Sequence, residues 1–251
     1  FHKPDRGITK QIGSGEEISK LTGVQVVYDF RTQDVALGGQ GAPLVPIGDV
    51  ILFNVFDACL NLGGFANVSF DMQNSRIAYD IGACNLILNH YAQKLGYEYD
   101  DKGLLAQNGT CDESLLNELN DIDYYDFNPP KSLAREFAES QLLPLLSNYD
   151  EETVLHTYTK HIGFQIGVSL TKSKATKCLV TGGGTYNRFL IDQIQQHTRC
   201  FLEIPDRTIV DYKEALVFAL LGHLRKENQI NVLSSVTGAK YDHSSGRIAK
   251  P

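Results

Sequence analysis

Residues 178–196 have the sequence CLVTGGGTYNRFLIDQIQQ. The apolar start predicts a short strand over Cys178–Thr181, and the spacing of apolar residues after the glycines predicts a helix over Tyr186–Gln196. The three glycines between them, Gly182–Gly184, form the connecting loop. A strand, a glycine loop and a helix in this order are typical of α/β proteins.

The rest of the chain continues this alternation. Strands are predicted at Gly23–Phe30, Ala66–Met72, Arg76–Asp80 and Phe201–Ile204, with short apolar runs at Leu52–Phe56 and Ala58–Leu62. Helices are predicted at Asn85–Leu95, Lys131–Leu146, Glu151–Leu170 and Asp211–Leu224, with a further helix around Leu115–Leu119. Strands followed by helices, without a repeat period, predict α/β layers.

Composition excludes several functions. The chain has 251 residues, 42% of them hydrophobic, and a net charge of -7 with scattered Lys and Arg, which is unlike a nucleic-acid-binding protein. We find neither an apolar run of the roughly 18 residues that a membrane helix needs nor a leader, so we expect a cytoplasmic protein with no membrane partner. Five widely spaced cysteines without C-x-x-C indicate reduced, mostly buried thiols.

Three glycine turns are candidates for phosphate or metal binding. Gly182–Gly184 would expose backbone N–H groups at a helix start, which suits an anion, although a tight turn also requires glycine. Gly63-Gly64 is a second turn, for which an ordinary hairpin is the alternative. Asp80, followed by Gly82, places a carboxylate at a strand end where it could hold hydrated Mg²⁺, although Asp-x-Gly is also a frequent turn.

Acidic and basic residues cluster beside a further glycine loop. Asp29, Arg31 and Asp34 lie next to 38–41 (GGQG), and this mixture could supply a general base held by a guanidinium; a solvated salt-bridge cluster is the alternative. Ser132 is a candidate N-cap, and Glu214 is predicted in the first turn of a helix, where an acid has a structural explanation.

Eight strings occur in an order that resembles the anhydro-N-acetylmuramic acid kinases, over nearly the entire chain. They are DFR-x-x-D (29–34), GGQGAPLVP (38–46), LNLGGFANVS (60–69), YDIGACN (79–85), PPKS-x-x-RE (129–136), TGGG-x-x-N (181–187), KEALVFA (213–219) and SVTGA (235–239). GGQGAPLVP after DFR-x-x-D is the most specific of them.

The resemblance implies an α/β, two-lobed actin/hexokinase/Hsp70-like (ribonuclease H-like) fold with ATP in the cleft. The family's N-terminal phosphate loop is absent from this sequence, so we expect an incomplete N-terminal lobe and, if the protein is this short, little kinase activity. Residues 1–56 would be the remainder of that lobe with the sugar-side motifs. Residues 57–251 would be the C-terminal nucleotide-binding lobe, with the tail from about residue 228 packing back toward the cleft.

The implied reaction belongs to peptidoglycan recycling. Water opens 1,6-anhydro-N-acetylmuramic acid while ATP, with Mg²⁺, phosphorylates O6, giving N-acetylmuramic acid 6-phosphate and ADP. The resemblance also implies a homodimer.

The resemblance assigns site residues motif by motif. Asp34 would be the base that deprotonates the attacking water, and Asp80 would hold the metal. The sugar side would comprise Arg31, Gly39, Gln40, Gly41 and Glu214. The nucleotide side would comprise Gly63, Gly64, Asn67, Asp80, Gly82, Gly182, Gly183, Gly184 and Asn187.

The sequence departs from the family at one turn. Ile81, Ala83 and Cys84 replace the residues of a run closer to Asp-Thr-Gly-Pro-Gly-Asn, and Asn89 stands where an acid is common. One alternative function is therefore a catalytically impaired nucleotide- or sugar-binding protein of the same fold. Phosphorylation of another sugar or of a carboxylate is a further alternative function.

Overall fold

The computed structural model of the chain describes residues 2–3 and 6–251, with side chains from residue 6 onward. The chain divides into two compact units. The first unit comprises residues 1–54, 73–77 and 212–251, and the second comprises 55–72 and 78–211.

The regular elements are numbered in chain order. The strands are β1 (His2–Lys3), β2 (Ile8–Thr9), β3 (Val26–Tyr28), β4 (Ala58–Leu62), β5 (Phe65–Met72), β6 (Ser75–Ala83), β7 (Lys177–Thr181), β8 (Phe201–Glu203) and β9 (Arg247–Ala249). The helices are α1 (Gly15–Thr22), α2 (Thr32–Ala36), α3 (Pro46–Leu52), α4 (Asn85–Lys94), α5 (Leu104–Asn108), α6 (Glu113–Asn120), α7 (Arg135–Phe137), α8 (Leu143–Leu146), α9 (Glu151–Ser173), α10 (Arg188–Gln196), α11 (Arg207–Lys226) and α12 (Ser234–Thr237). Short 3-10 turns cover Asp101–Gly103, Asp123–Asp126 and Gly183–Tyr186, and a π-helical segment, Ala138–Leu142, joins α7 to α8.

The second unit is built on a mixed sheet with the strand order β6-β5-β4-β7-β8. β4 runs antiparallel to β5 and parallel to β7, which is parallel to β8. Ala58, Leu60 and Leu62 on one face of β4 are fully buried and Cys59 on the other face is also buried, as expected for a central strand covered on both faces. Because β4 and β7 are parallel, their carboxyl ends, and the two glycine turns that follow them, meet at one edge of the sheet.

Helix α9 supplies much of the core of this unit. Val154, Tyr158 and Ile162 have no exposed surface and recur at four-residue intervals, so one face of the helix is continuously buried. Asp150 caps the first turn of α9 by accepting the N–H of Thr153 at 2.9 Å.

The first unit has its own core around α11. Phe30, Leu44 and Ile47 cluster with Val217 and Leu221 of this helix. The chain end belongs to the same core, since the hydroxyl of Ser245 donates to the carbonyl of Phe30 at 2.7 Å. The tail beyond residue 228 is therefore fastened beside the 29–46 region of this unit.

Several predictions from the sequence are confirmed. The predicted strands at 66–72 and 76–80 are β5 and β6, the run 58–62 is β4, and 178–181 lies within β7. The predicted helices at 85–95 and 151–170 are α4 and α9. All five cysteines are free, and four are buried.

Three local predictions are wrong. The strand predicted over 23–30 is only Val26–Tyr28, because Gly23 ends α1 with a φ of 68° and Asp29 turns the chain with a φ of 57°. Ser132 caps no helix, since α7 begins after Ala134, which has no side-chain cap. Glu214 is not in a first turn, because α11 already begins at Arg207.

None of the helices in the described part of the chain combines the length and the apolar composition that a membrane crossing requires.

Candidate functional site

The start of α4 is tied to the first glycine turn of the second unit. The carbonyl of Gly64 accepts the N–H groups of Cys84 and Leu86 at 2.8 and 3.1 Å, and that of Gly63 accepts the N–H of Asn85 at 3.1 Å. These carbonyls satisfy donors that a helix start otherwise leaves open. The Gly63-Gly64 turn therefore has a structural role at α4, and these N–H groups are not open to a phosphate.

The three glycines after β7 differ in whether a Cβ atom would fit at their position. A Cβ on Gly182 would lie 2.7 Å from Oδ1 of Asn61, and its φ is 87°; a Cβ on Gly184 would lie 2.7 Å from the Cβ of Leu62. For Gly183 the nearest atom would be Nδ2 of Asn85 at an ordinary 3.9 Å. Gly182 and Gly184 are thus required by packing, whereas the exposed Gly183 is not.

This loop opens onto a cavity of about 730 Å³ in the second unit. The lining residues are Asn85, Leu88, Asn89, Tyr99, Asp100, Asp101, Lys102, Gly183, Gly184, Thr185, Tyr186, Asn187, Arg188 and Arg207. Three of them are cations, Lys102, Arg188 and Arg207, and two are acidic, Asp100 and Asp101. A glycine loop and three cations around a cavity of this size form a site that suits a phosphorylated ligand.

Two acidic side chains at or beside this cavity already accept hydrogen bonds from other groups of the protein. Asp100 accepts the N–H groups of Leu105 and Ala106 at 2.7 and 2.9 Å. Asp211 accepts the hydroxyl of Tyr186 at 2.8 Å and Nε of Arg207 at 3.0 Å, and these two contacts hold the pKa of its carboxyl below the usual value. Asp211 thereby positions Tyr186 and Arg207 at the cavity wall.

Asn187 is both a cap and a wall residue. Its side-chain oxygen accepts the N–H of Leu190 at 2.9 Å, which begins α10. A Cβ on Gly103 would lie 2.2 Å from this oxygen, so glycine at 103 allows the Asp101–Gly103 turn to reach Asn187. That contact places the neighbouring Lys102 at the cavity.

Asp80 lies in a separate setting near the end of β6. Its Oδ2 accepts the N–H of Leu133 at 2.8 Å, and its backbone N–H donates to the carbonyl of Lys131 at 3.2 Å. The YDIGACN and PPKS-x-x-RE strings are thus in contact. Burial raises the pKa of the Asp80 carboxyl, a raise that the Leu133 hydrogen bond partly opposes.

Tyrosines fix the backbone on either side of Asp80. The hydroxyl of Tyr124 donates to the carbonyl of Asp80 at 2.5 Å, and that of Tyr158 donates to the carbonyl of Ala83 at 2.8 Å. Between them, a Cβ on Gly82 would lie 2.7 Å from Cδ1 of Ile162. Gly82 is therefore buried against α9, and packing explains its identity.

In the first unit, the 38–41 loop wraps around Asp34. The carboxylate accepts the N–H of Gly41 at 2.6 Å and the hydroxyl of Thr237 at 2.7 Å, and it has no exposed surface. A Cβ on Gly39 would lie 2.2 Å from Oδ2 of Asp34, so glycine is needed there. Asp34 thus ties the DFR-x-x-D, GGQG and SVTGA strings into one buried cluster.

Other contacts complete this loop. Nη1 of Arg31 donates to the carbonyl of Gly41 at 2.9 Å, and the N–H of Gln40 donates to the carbonyl of Thr237 at 2.8 Å. Gln40 itself is exposed, so its side chain is free to meet a ligand. Glu214 is exposed on α11, while its neighbour Lys213 is buried with Nζ 2.7 Å from Oδ1 of Asp49.

The structure brings some of the predicted residues together and separates others. Gly183, Gly184 and Asn187 share the cavity, and Asp34, Arg31, Gly39 and Gly41 share the buried loop cluster. The lining of the cavity does not include Gly63, Gly64, Asn67, Asp80, Gly82 or Gly182. Sequence reasoning missed Lys102, Arg188 and Arg207, which no motif marks, and Asn85, which ends the YDIGACN string.

A mixed sheet whose strand ends carry a glycine loop beside a cavity with three cations defines an α/β protein with a candidate phosphate site. Comparison with known sequences is more specific. A family model described as anhydro-N-acetylmuramic acid kinase matches residues 1–251. The chain belongs to this family.

Curated relatives agree with this assignment. The anhydro-N-acetylmuramic acid kinase of Aliivibrio fischeri is 35% identical over 99% of this chain and 72% of its own length. That of Sulfurimonas denitrificans is 32% identical over 99% of this chain and 73% of its own length. That of Pseudomonas fluorescens is 35% identical over 95% of this chain and 70% of its own length.

Similar solved structures are more distant. Component A of the (R)-2-hydroxyglutaryl-CoA dehydratase of Acidaminococcus fermentans has a TM-score of 0.44 at 15% identity, over 69% of this chain and 63% of its own. The activator of the 2-hydroxyisocaproyl-CoA dehydratase of Clostridium difficile, with bound ADPNP, has a TM-score of 0.43 at 18% identity, over 73% of this chain and 67% of its own.

Proposed function

We propose that this protein is an anhydro-N-acetylmuramic acid kinase that acts in peptidoglycan recycling. The observation that carries the proposal is the family match over all 251 residues. The reaction consumes 1,6-anhydro-N-acetylmuramic acid, water and ATP. Water adds to the anomeric carbon, the bond from that carbon to O6 breaks, and O6 takes the γ-phosphoryl group, leaving N-acetylmuramic acid 6-phosphate and ADP. The family match lends no support to a non-catalytic binding protein.

ATP binds in the cavity of the second unit in this proposal. The exposed Gly183 lets a phosphate approach the backbone, and Lys102, Arg188 and Arg207 supply compensating positive charge. The remaining wall, with Tyr99 and Leu88, offers apolar surface to a nucleoside. Gly63, Gly64, Asn67, Gly82 and Gly182 stay predictions as nucleotide contacts, and the packing described above favours a supporting role for all of them except Asn67.

Mg²⁺ enters with the nucleotide. Across residues 6–251, no three His, Cys, Asp or Glu side chains gather into a group that could hold a metal ion. This fits Mg²⁺, which is commonly bound by phosphate oxygens, water and one or two carboxylates. Asp80 remains the proposed protein ligand, and the ion would neutralise charge on the transferred phosphoryl group.

Asp34 is the proposed base that deprotonates the attacking water. It has no exposed surface and accepts two hydrogen bonds from its own unit, so the observed geometry is that of an anchor. The assignment of the base to Asp34 stays a prediction.

The sugar-binding assignments also stay proposals. Gln40 is exposed at the tip of a loop that Asp34 and Arg31 hold in place, and Glu214 is exposed on α11. Both side chains offer polar atoms to an amino sugar. Arg31, Gly39 and Gly41 would act by fixing the loop.

Architecture and assembly follow the family in this proposal. We propose the two-lobed actin-like fold, with residues 1–56 contributing to one lobe and 57–251 to the other, a cytoplasmic location and a homodimer.

Turnover tests the function directly. The purified protein is incubated with ATP, Mg²⁺ and 1,6-anhydro-N-acetylmuramic acid, while ADP is followed by a coupled assay and the sugar product by mass spectrometry. We expect ADP and N-acetylmuramic acid 6-phosphate in equal amounts. Their absence would reject the proposal.

A matched substrate separates this reaction from simple sugar phosphorylation. N-acetylmuramic acid has a free O6 and no anhydro bond, so a hydroxyl kinase would phosphorylate it without water addition. We expect the anhydro sugar to be strongly preferred. Equal turnover of both sugars would support the alternative of a different sugar kinase.

A further inference from the structure

A buried histidine faces Asp34 in the first unit. Nε2 of His243 lies 3.6 Å from Oδ1 of Asp34, and the side chain of His243 is only 3% exposed. This nitrogen has no hydrogen-bond partner in the part of the chain that the structure describes with side chains. A buried polar atom without a partner is unfavourable, so its orientation toward a carboxylate requires an explanation.

The other ring nitrogen fixes the orientation of the ring. Nδ1 of His243 lies 3.0 Å from the carbonyl of Tyr241. A carbonyl only accepts, so Nδ1 donates in this bond. The ring is therefore held at Nδ1 and faces the Asp34 carboxylate with Nε2.

We propose that His243 is a positioning residue that holds the Asp34 carboxylate and, through it, the 38–41 loop in its observed conformation. Asp34, Thr237 and His243 together form what we call the Asp34 latch. The side chains of the latch bond to the loop through Asp34, which accepts the N–H of Gly41, and the backbone carbonyl of Thr237 accepts the N–H of Gln40. The polar contacts of the His243 ring are with Asp34 and Tyr241, so its effect on the loop would pass through Asp34. Its kinetic consequence rests on the proposed sugar-binding role of this loop.

Two amide substitutions separate the two nitrogens of His243. His243→Asn places a nitrogen near the position of Nδ1 and keeps the donor to Tyr241, but it removes the group that faces Asp34. His243→Gln extends a nitrogen toward Asp34 and loses the Tyr241 contact. His223, which is exposed on α11 in the same unit, supplies the control His223→Asn.

Hydrogen–deuterium exchange of the 35–46 segment tests the latch without any activity. The N–H of Gly41 is bonded in the wild type, so we expect His243→Asn to speed its exchange about tenfold, and His243→Gln and His223→Asn to leave it near the wild-type rate. Unchanged exchange in His243→Asn, or equally fast exchange in His243→Gln, would overturn the proposal.

Steady-state kinetics tests the link to the sugar. We expect His243→Asn to raise KM for the anhydro sugar several-fold while KM for ATP stays unchanged, and His243→Gln to restore the sugar KM. An unchanged sugar KM in His243→Asn would overturn the link between the latch and the sugar. If the wild type shows no sugar-dependent turnover, the proposed function fails, whereas the exchange experiment still decides the role of His243.

Discussion

The glycine at 184 is set so closely against Leu62 that a Cβ there would lie 2.7 Å from the Cβ of Leu62. Its neighbour Gly183 has room for a Cβ, with 3.9 Å to the nearest atom. We therefore expect Gly184→Ala to lower the free energy of unfolding by about 1–3 kcal/mol through overpacking. Gly183→Ala should leave it unchanged, and urea denaturation of both variants checks this.

Gly183→Ala should instead impair nucleotide binding. A methyl group at the loop surface would hold the phosphates away from the backbone, and we expect a rise in Kd for ATP of roughly tenfold, or about 1.4 kcal/mol. Titration calorimetry measures the change. Wild-type affinity in this variant would show that the exposed loop does not contact the nucleotide.

Substituting Asp34 and Asp80 separately tests their different proposed roles. In Asp34→Asn the amide has one acceptor oxygen for two donors, Gly41 N–H and Thr237 O–H, so we expect a loss of about 1–3 kcal/mol in the free energy of unfolding. In Asp80→Asn the oxygen can still accept the N–H of Leu133, and the fold should persist. If Asp80 holds Mg²⁺, kcat falls in this variant and recovers in part as the Mg²⁺ concentration is raised.

Urea denaturation and kcat are measured for both proteins. A stable Asp34→Asn variant with a comparable loss of kcat would instead support Asp34 as the base.

Arg188 is unfavourable at the start of α10 but lies at the wall of the cavity. It is the first residue of α10, where a cation opposes the helix dipole, and it lines the cavity. We expect Arg188→Gln to raise KM for ATP several-fold while the melting temperature stays constant or rises slightly. Calorimetry and ATP-dependent kinetics provide the two measurements, and a lower melting temperature with unchanged KM would contradict the expectation.

Because His161 is buried, we expect the free energy of unfolding to depend on pH. It is fully buried between Asn120 and Tyr125, and burial lowers its pKa to about 3 from 6.5. The unfolded chain therefore binds a proton that the folded chain does not, and stability is lost as pH falls from about 6.5 toward 3. At pH 5.5 this loss is about 1.4 kcal/mol relative to neutral pH.

Urea denaturation at pH 7.5 and 5.5 measures this effect, with His161→Gln as the matched variant. The glutamine does not titrate, so its stability should change less between the two pH values, by about 1.4 kcal/mol. An equal change in both proteins would show that His161 does not contribute.

The local pattern of the sequence was sufficient to predict several of the strands and the longest helix. The apolar alternation and glycine punctuation of 58–80, and the long apolar period of 151–170, predict β4, β5, β6 and α9, because each pattern matches one regular geometry. The ordered strings likewise indicate the family, since each is a run of neighbouring residues whose identity does not depend on distant contacts. Short elements such as α2 and α3 were missed, since five and seven residues are too few to show a clear helical period.

The sequence by itself determined the α/β class, the family resemblance and the position of each glycine loop along the chain. Only the tertiary structure decided which groups each motif residue contacts. Asp34 and Asp80 look alike in sequence, yet one is enclosed by Gly41, Thr237 and His243, and the other is partly open beside Leu133. Burial and hydrogen bonding depend on residues up to 209 positions away, from Asp34 to His243, and local pattern contains no information about such distant partners.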